Sequence, residues 1–311
     1  MNKIILENDK IIDKELDENI KYDLFTNDTF GIASLTIEAT NTTELELQYN
    51  FKEKTKIETI IIAQKGANLK IFEKINGNEA KIRTKYYLKE NSNIKVSKFN
   101  DINTIKEYVV VNLDEEKSHI EYNLKTIAQN EENYDILTYH NASNTISEIN
   151  PNGVNIKNGK IKFNVSTFVP NKKIKCDASQ NNKIINLTNN ECMIYPNLYI
   201  DEYDVTASHS AWIGTFDKKQ IFYLQSRGIS EEQAIKLLIK GFLTNKLDIE
   251  KEKQEEIIKT IDEYWRWKNE RRLPNVEKRH NLFWQWSNNI KTKYISRLIK
   301  RLLWKLFSKC P

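Results

Sequence analysis

A mainly β domain followed by a C-terminal α-helical domain is the fold that the sequence predicts. Short segments of alternating apolar and polar residues fill the chain as far as Ile200, and asparagine-rich segments separate them. The first signals of helices follow Phe216. Hydrophobic residues make up 39% of the chain, which is enough to form a substantial core.

Six segments of the first region put their apolar side chains on one face at period two, which predicts strands. They are residues 35–38, 45–48, 69–72, 94–97, 161–165 and 198–200. Asparagine can bond its own backbone and adopts left-handed geometry, so it can turn a chain that has only 8 glycines. We predict turns at the asparagine-rich residues 76–79, 89–93, 151–160 and 179–183.

Many short strands with no helix between them are typical of a sandwich, a barrel or a parallel β-solenoid. Alternation by itself does not choose among these three architectures. The chain shows no strict hexapeptide or leucine-rich repeat, so a solenoid would need irregular coils. From periodicity alone we favour a sandwich or a barrel.

Capping-box spacings predict two helix starts, at Asp217 with Gln220 and at Ser230 with Gln233. Gly228 is expected to end the first helix in the left-handed conformation. A third helix is predicted over about residues 248–268, and Pro274 separates it from a last helix over about 282–309. The second helix has one apolar stripe, made of Ala234, Leu237, Leu238, Gly241 and Phe242.

The last predicted helix lies in a basic segment, residues 266–311. This segment has 13 Lys and Arg against two acids, a net charge of +11, and the rest of the chain carries −6. Five of the six tryptophans fall between residues 265 and 304. Such a helix can pack on its own domain, dock on a partner, lie on an anionic membrane or bind nucleic acid. Packing on its own domain is favoured, and neither a membrane nor nucleic acid is expected as a partner.

Cysteine usage and the N-terminus predict a cytoplasmic protein. Cys176, Cys192 and Cys310 are far apart and form no CxxC pair, so we expect reduced thiols and no disulfide framework. The N-terminus has no apolar segment of signal-peptide length. Nor does any stretch approach the ~20 apolar residues of a membrane-spanning helix.

The sequence contains no familiar catalytic, nucleotide or zinc motif, so we expect neither an enzyme nor a bound nucleotide. Ser208 and Ser210 flank His209, but adjacent residues of a strand point to opposite faces and cannot form a nucleophile–base pair. On these grounds His209 and His140 are hydrogen-bonded structural histidines. The chain has four histidines: His119, His140, His209 and His280.

A series of short motifs runs in order through residues 138–245. It consists of DVTASHSA (204–211), IG (213–214), FYL (222–224), SRGI (226–229), Ala234 and GF (241–242). The series resembles the C-terminal signature of the SufB/SufD family, the scaffold proteins of the SUF system for iron–sulfur cluster assembly. DASQNN (177–182) and PNLYID (196–201) are similar to the segment that leads into this signature, and His140 with Thr145 resembles an earlier landmark.

The resemblance implies a right-handed parallel β-helix for residues 1–216, in place of the sandwich or barrel. Residues 217–311 would then be a C-terminal helical domain that ends in the basic, tryptophan-rich helix. The implied function is a noncatalytic scaffold that contributes to iron acquisition and nascent cluster assembly. Its β-helix would pair with a SufB-like scaffold or a second copy of itself, and its helices would bind the SUF ABC-type ATPase. The cysteine desulfurase system would be an indirect partner.

The resemblance also implies site residues. His209 matches the histidine of the SufD-like branch, and its neighbours Ser208 and Ser210 differ from the glutamate-flanked histidine of SufB-like chains. We therefore expect His209 to be a ligand of iron or of a transient iron–sulfur cluster at a shared interface, since imidazole binds iron well. Arg227 has an alternative role in capping carbonyls. The candidate contacts to the ATPase are Phe222, Tyr223, Arg227, Gly228 and Phe242.

The chain departs from the family pattern in two ways. Ala207 stands where some relatives have a cysteine, so a thiolate ligand would have to come from a partner. Cys176 and Cys192 match no family ligand, and we expect them to be small buried side chains. The β region begins almost at once, so the N-terminal helical domain of many relatives is expected to be absent or supplied by another subunit.

Two other classes of function remain as alternatives to the scaffold. A surface-binding adaptor would use the basic helix as its working part, on a partner helix, an anionic membrane or nucleic acid. A β-helix carbohydrate-active enzyme would need paired carboxylates at a cleft and is often secreted, and the sequence shows neither feature.

Overall fold

The computed structural model describes residues 2–27 and 32–270. The strands are β1 (Asn2–Glu7), β2 (Lys10–Glu15), β3 (Ile20–Asn27), β4 (Ile32–Ala39), β5 (Thr43–Phe51), β6 (Thr55–Ala63), β7 (Asn68–Leu88), β8 (Asn93–Leu113), β9 (His119–Ala128), β10 (Glu131–His140), β11 (Ile146–Asn155), β12 (Lys160–Val169), β13 (Asp177–Asn186), β14 (Met193–Ile200) and β15 (Thr206–Gly214). The helices are α1 (Lys218–Gln225), α2 (Glu231–Thr244) and α3 (Lys251–Glu270).

The strands form a β-solenoid of about 7 turns, with parallel pairing from one coil to the next. The first sheet has the order β2-β1-β5-β7-β8-β9-β11-β13-β15, and the second has the order β3-β4-β6-β7-β8-β10-β12-β14. Thr43 pairs with Leu69, and Asn68 with Asn93, so a position in these coils recurs after 25 or 26 residues. The coils near the C-terminal end are longer, and Ile146 pairs with Asp177 after 31 residues. The solenoid implied by the family resemblance is confirmed. The sandwich or barrel favoured from periodicity is wrong, because the strands pair in parallel with their counterparts one coil away, apart from the antiparallel pairs β1–β2 and β3–β4.

Three of the predicted turns are strands for part or all of their length. Residues 76–79 lie inside β7, residues 179–183 lie inside β13, and residues 151–155 lie inside β11. Their amide side chains bond to other parts of the solenoid instead of their own backbone. The Nε2 of Gln180 donates to the Oγ1 of Thr167 at 2.9 Å, and the Nδ2 of Asn155 donates to the Oδ1 of Asn186 at 2.9 Å. The turn over 89–93 is confirmed, and so is the second half of the turn over 151–160.

One corner of the solenoid repeats from coil to coil. A residue with positive φ is followed by a small buried residue and then by the start of a strand of the first sheet. The amide of each left-handed residue can donate to a carbonyl of the next coil, as from Asn91 to Glu116 at 3.0 Å. The left-handed residues are Gly66, Asn91, Lys117, Asn144 and Lys175. The small residues are Ala67, Ser92, Ser118, Thr145 and Cys176.

The interior of the solenoid is mainly apolar, and among its buried polar groups is an ionic triad in β7 and β8. The Nζ of Lys98 lies 2.7 Å from the Oε1 of Glu73 and also contacts Glu107 from the opposite sheet. Burial lowers the pKa of Lys98, but the charges of Glu107 and Glu73 more than offset this effect and hold the pKa above its ordinary value. The triad therefore joins the two sheets across the core.

α2 and the start of α3 cover part of the outer face of the first sheet. α2 packs on β9 and β11, and the outward-facing side chains of Asn123, Lys125 and Asn152 are buried. The outward-facing side chains of β10 in the second sheet are half-buried or exposed. Ion pairs hold the start of α3, where Lys253 contacts Glu46.

The predicted helix boundaries agree with the structure to within a few residues. The side chain of Asp217 caps α1, and Ser230 and Gln233 form the capping box of α2. After α1, Gly228 has φ +82° and its N–H donates to the carbonyl of Gln225, while Ile229 donates to Leu224, which is the Schellman pattern. No helix among residues 2–27 and 32–270 is long and apolar enough to cross a membrane.

The chain forms two compact units, Met1–Ile257 and Ile258–Pro311. The first unit contains the solenoid, α1, α2 and the beginning of α3. The domain boundary between residues 216 and 217 remains a prediction. The predicted last helix, with most of the basic tryptophan-rich segment, lies outside the described residues.

Candidate functional site

The C-terminal end of the solenoid is open along both sheets. In the described part of the chain, β15 pairs only with β13, and β14 pairs only with β12. Nearly every residue of β15 is exposed. The backbone N–H and C=O groups on the free sides of these strands can pair with another strand, as at any sheet edge.

His209 lies at this open end. Its register partner in β13 is Gln180, whose buried side chain faces the interior of the solenoid. Because residues in register on parallel strands share a face, the imidazole of His209 lies on the interior side of the last coil. The Oγ of Ser210, on the opposite side, donates to the Oδ1 of Asn181 at 3.0 Å. The two serines are therefore separated from the imidazole by the strand itself, as the sequence predicts.

The side chains of Gln180 and Asn182 form a polar floor beneath His209. Hydrogen bonds hold this floor in place, but not all of its polar atoms have a hydrogen-bond partner. The Nε2 of Gln180 donates to the Oγ1 of Thr167 and to the carbonyl of Asn197, at 2.9 and 3.1 Å. The Nδ2 of Asn182 donates to the carbonyl of Ser210 at 3.0 Å. The side-chain oxygens of Gln180 and Asn182 are buried and have no hydrogen-bond partner.

His209 is not part of a cluster of typical metal ligands in the described part of the chain. Within residues 2–27 and 32–270, no group of three or more His, Cys, Asp or Glu residues is arranged to hold a metal. The surroundings of His209 offer amides and hydroxyls, which are weak ligands for iron beside imidazole and thiolate. The arrangement can supply one imidazole ligand to a metal ion.

Large apolar side chains surround the open end. Phe168 stacks with Tyr139 and Tyr199 at centroid distances of 4.8 and 4.7 Å, so an aromatic row crosses the outer face of the second sheet to the last strand. The exposed large side chains of the last coil are Tyr195, Tyr199, Tyr203, Trp212 and Ile213. Exposed apolar groups clustered at an unpaired edge are typical of an interaction surface.

The α1–α2 hairpin contains the five residues expected to contact an ATPase. Phe222 is 72% exposed, and Tyr223 is partly exposed with the guanidinium of Arg227 at 5.4 Å from its ring centre. Gly228 forms the turn between the helices, where it has open space around it. Phe242 is buried, so it packs α2 instead of offering a surface contact. The structure thus brings Phe222, Tyr223 and Arg227 together on one exposed surface.

His140 and Cys176 lie inside the structure. The ring nitrogens of His140 are 2.7 Å from the Oγ1 of Thr145 and 2.9 Å from the Oγ of Ser147, and burial lowers the pKa of His140 to about 4. The prediction of a hydrogen-bonded structural histidine is confirmed for His140. Cys176 is buried in the repeating corner as expected, whereas Cys192 is only half-buried.

Sequence reasoning does not identify Gln180 and Asn182 as the floor of the site. Both lie in the motif DASQNN, whose asparagines predict a turn and which resembles a family landmark. Gln180 and Asn182 are two residues apart, as are His209 and Ala211. Residues two apart in a strand share a face, and this spacing is the signal that could have placed all four on one side of the two adjacent strands.

The fold and the open C-terminal end together place the chain in the class of β-solenoid proteins. Its last coil is exposed and contains a histidine, His209. A family model described as "SUF system FeS cluster assembly, SufBD core domain" matches residues 36–242, and the chain belongs to the SufBD family. The chain is similar to the iron–sulfur cluster assembly protein SufD of Bacillus subtilis, with 37% identity over 108 residues, which are 32% of this chain and 25% of the relative.

Two further relatives are also iron–sulfur cluster assembly proteins by name, and they too match over only a small part of their length. SufD of Escherichia coli is 38% identical over 85 residues, 27% of this chain and 20% of the relative. A SufBD family protein of Mycobacterium leprae is 52% identical over 48 residues, 15% of this chain and 12% of the relative. The chain thus spans a quarter or less of the length of these curated relatives.

Proposed function

We propose that this chain is a noncatalytic scaffold subunit of a SUF iron–sulfur cluster assembly complex. Its solenoid pairs through β14 and β15 with a SufB-like scaffold, or with a second copy of the chain, and its α1–α2 hairpin binds the ABC-type ATPase. Iron or a nascent cluster is held transiently between the two scaffolds, with His209 as one ligand. The observation that carries the proposal is the position of His209 on the interior side of an open, unpaired coil.

Two features of the open end support pairing with another solenoid. The unpaired edges of β14 and β15 offer backbone groups for strand addition. The apolar side chains beside them supply area that would be removed from water.

Replacing His209 with Ala is expected to lower the iron and sulfide content of the assembled complex, because a shared site would lose one of its ligands. Loss of a metal ligand or its supporting group commonly costs at least ~10–100-fold in metal affinity. The measurement is an iron and acid-labile sulfide assay after co-expression with a SufB-like scaffold and the ATPase. Ser208→Ala, on the other face of the same strand, is the matched control and should leave the content unchanged. Equal content in the His209→Ala complex would remove the ligand role.

Replacing Phe222 with Ala is expected to weaken binding of the ATPase, because an exposed aromatic anchor would be lost from the interface. Truncation of such an anchor typically costs ~2 kcal/mol or more, about 30-fold in affinity. Binding of the purified ATPase can be measured by titration calorimetry. Phe25→Ala is a suitable control, since Phe25 is also well exposed, at 61%, but lies in β3 at the other end of the solenoid. Equal affinities for the two variants would contradict docking at α1.

A further inference from the structure

Lys125 is a fully buried lysine on the outer face of the first sheet, beneath α2. Within β9 its side chain points away from the solenoid interior, since Leu124 and Thr126 on either side point inward. The side-chain amide of Asn152 has one orientation in which both its oxygen and its nitrogen have hydrogen-bond partners. In this orientation the oxygen accepts from the Nζ of Lys125 at 2.5 Å. One amide oxygen is an incomplete set of partners for a buried ammonium, which has three protons to donate.

The charges around Lys125 oppose its protonated form. β8 contributes Phe99 at the neighbouring register position, and β11 contributes the neutral Asn152. The charged groups that act on the amine are Lys246, which follows α2, and Lys183 in β13, and both are cations. The charged residues of α2 itself are all at least partly exposed, and they are Glu231, Glu232, Lys236 and Lys240. Burial first, and then these two lysines, lower the pKa of Lys125 to about 7.

The buried side chains of α2 are apolar. They include Leu238, Ile239 and Phe242, and the helix covers β9 and β11. Because Lys125 has an amide and no carboxylate as its partner, α2 can move away from the sheet without breaking an ion pair at this amine. Such movement would expose the amine to water, where a lysine is normally protonated.

We propose that α2 undocks from the solenoid with uptake of one proton by Lys125, so that the helix is held most firmly when this amine is uncharged. Proton uptake and helix position are then linked through one residue. α2 belongs to the hairpin that we propose to bind the ATPase. A partner that binds the hairpin would separate α2 from the sheet in the same way. The experiment needs only this chain, so it can fail while the proposed function stands.

The sign of the pH dependence follows from the two states of the amine. The docked state has a pKa of about 7 at Lys125, and an exposed lysine has ~10.4. Between these values the undocked state carries one more proton, so the equilibrium constant for undocking rises about tenfold for each unit of decrease in pH. Below about pH 7 the amine of the docked state also becomes protonated, so the equilibrium constant for undocking stops rising as the pH falls.

Hydrogen exchange of the full chain between pH 7 and pH 9, corrected for the intrinsic pH dependence of exchange, tests the proposal. Protection of the amides of α2, residues 231–244, is expected to fall about tenfold per pH unit toward pH 7. The amides of β10, in the second sheet, serve as the internal reference. Protection of α2 that does not change with pH, or that changes equally in β10, would overturn the proposal.

Two variants separate Lys125 from its neighbours. Lys125→Met keeps the length and apolar stem of the side chain and is expected to abolish the pH dependence in α2. Lys183→Met removes a neighbouring cation and leaves the amine of Lys125 in place. The pH dependence of α2 protection should therefore persist, and the pH at which it levels off should be higher. An unchanged slope in Lys125→Met would contradict the proposal. Should that variant fail to fold, the pH series on the unmodified chain decides by itself.

Discussion

The Gly77→Ala variant is expected to lose about 4 kcal/mol of unfolding free energy, the sum of backbone strain and a forced displacement in the core. Gly77 has φ +128°, a region that residues with a Cβ atom rarely adopt. A Cβ built on this residue would lie 2.1 Å from the carbonyl oxygen of Phe51, which belongs to the neighbouring coil. The contact is with backbone, so a side-chain rotation cannot relieve it.

The matched control for this variant is Gly66→Ala. Gly66 also has positive φ, at +73°, but a Cβ there would meet no atom within 4 Å. Its substitution should cost only about 1–2 kcal/mol, because strain is the single cause. Chemical denaturation of the three proteins side by side measures the difference. Equal losses in the two variants would mean that the close approach of the coils at Gly77 has no energetic consequence.

The Lys98→Met variant is expected to lose about 3–5 kcal/mol, because it leaves two carboxylates in the core without their cation. Burial raises the pKa of Glu107, and the attraction of Lys98 at present opposes that rise. In the variant a buried carboxyl has a folded-state pKa above its unfolded value. The destabilisation should therefore be small near pH 4 and grow as the pH rises through neutrality.

A second variant separates the buried charge from the packing of Lys98. Lys98→Met combined with Glu73→Gln and Glu107→Gln removes all three charges and is expected to recover most of the lost stability. Unfolding of each protein by urea at pH 5 and pH 8 gives the required free energies. A loss in Lys98→Met that is independent of pH would show that cavity formation, and not unpaired charge, is responsible.

Sequence patterns located strands and helices well but did not specify how the strands pair. The alternation at residues 35–38 and 161–165 is the same in a sandwich and in a solenoid, since it reports only which side of a strand is buried. The pairing is fixed by contacts one coil apart. The recurring corner, with Gly66, Asn91 and Lys117 in equivalent places, shows this periodicity. Its residues differ in chemical type, which is why the repeat is hard to find.

The candidate site was predicted in part. The family resemblance names His209 as a candidate ligand, which stays a prediction, and alternation along the strand correctly separates it from Ser208 and Ser210. The prediction of turns failed at Gln180 and Asn182, because an amide inside a solenoid can bond to the next coil as well as to its own backbone. The burial of Lys125 was not predictable from alternation, since an outward lysine is normally solvated and here a helix distant in sequence covers it.

The open coil at β14 and β15 is the surface that we propose to bind a second scaffold. Hydrogen exchange of the chain alone and in complex with a co-expressed SufB-like scaffold tests this claim most directly. We expect the amides of β15 to gain at least tenfold protection on complex formation, a change of about 1.4 kcal/mol in opening free energy. Those of β2, the edge strand at the other end of the first sheet, should not change. Unchanged exchange in β15, or protection that appears only at β2, would contradict the account.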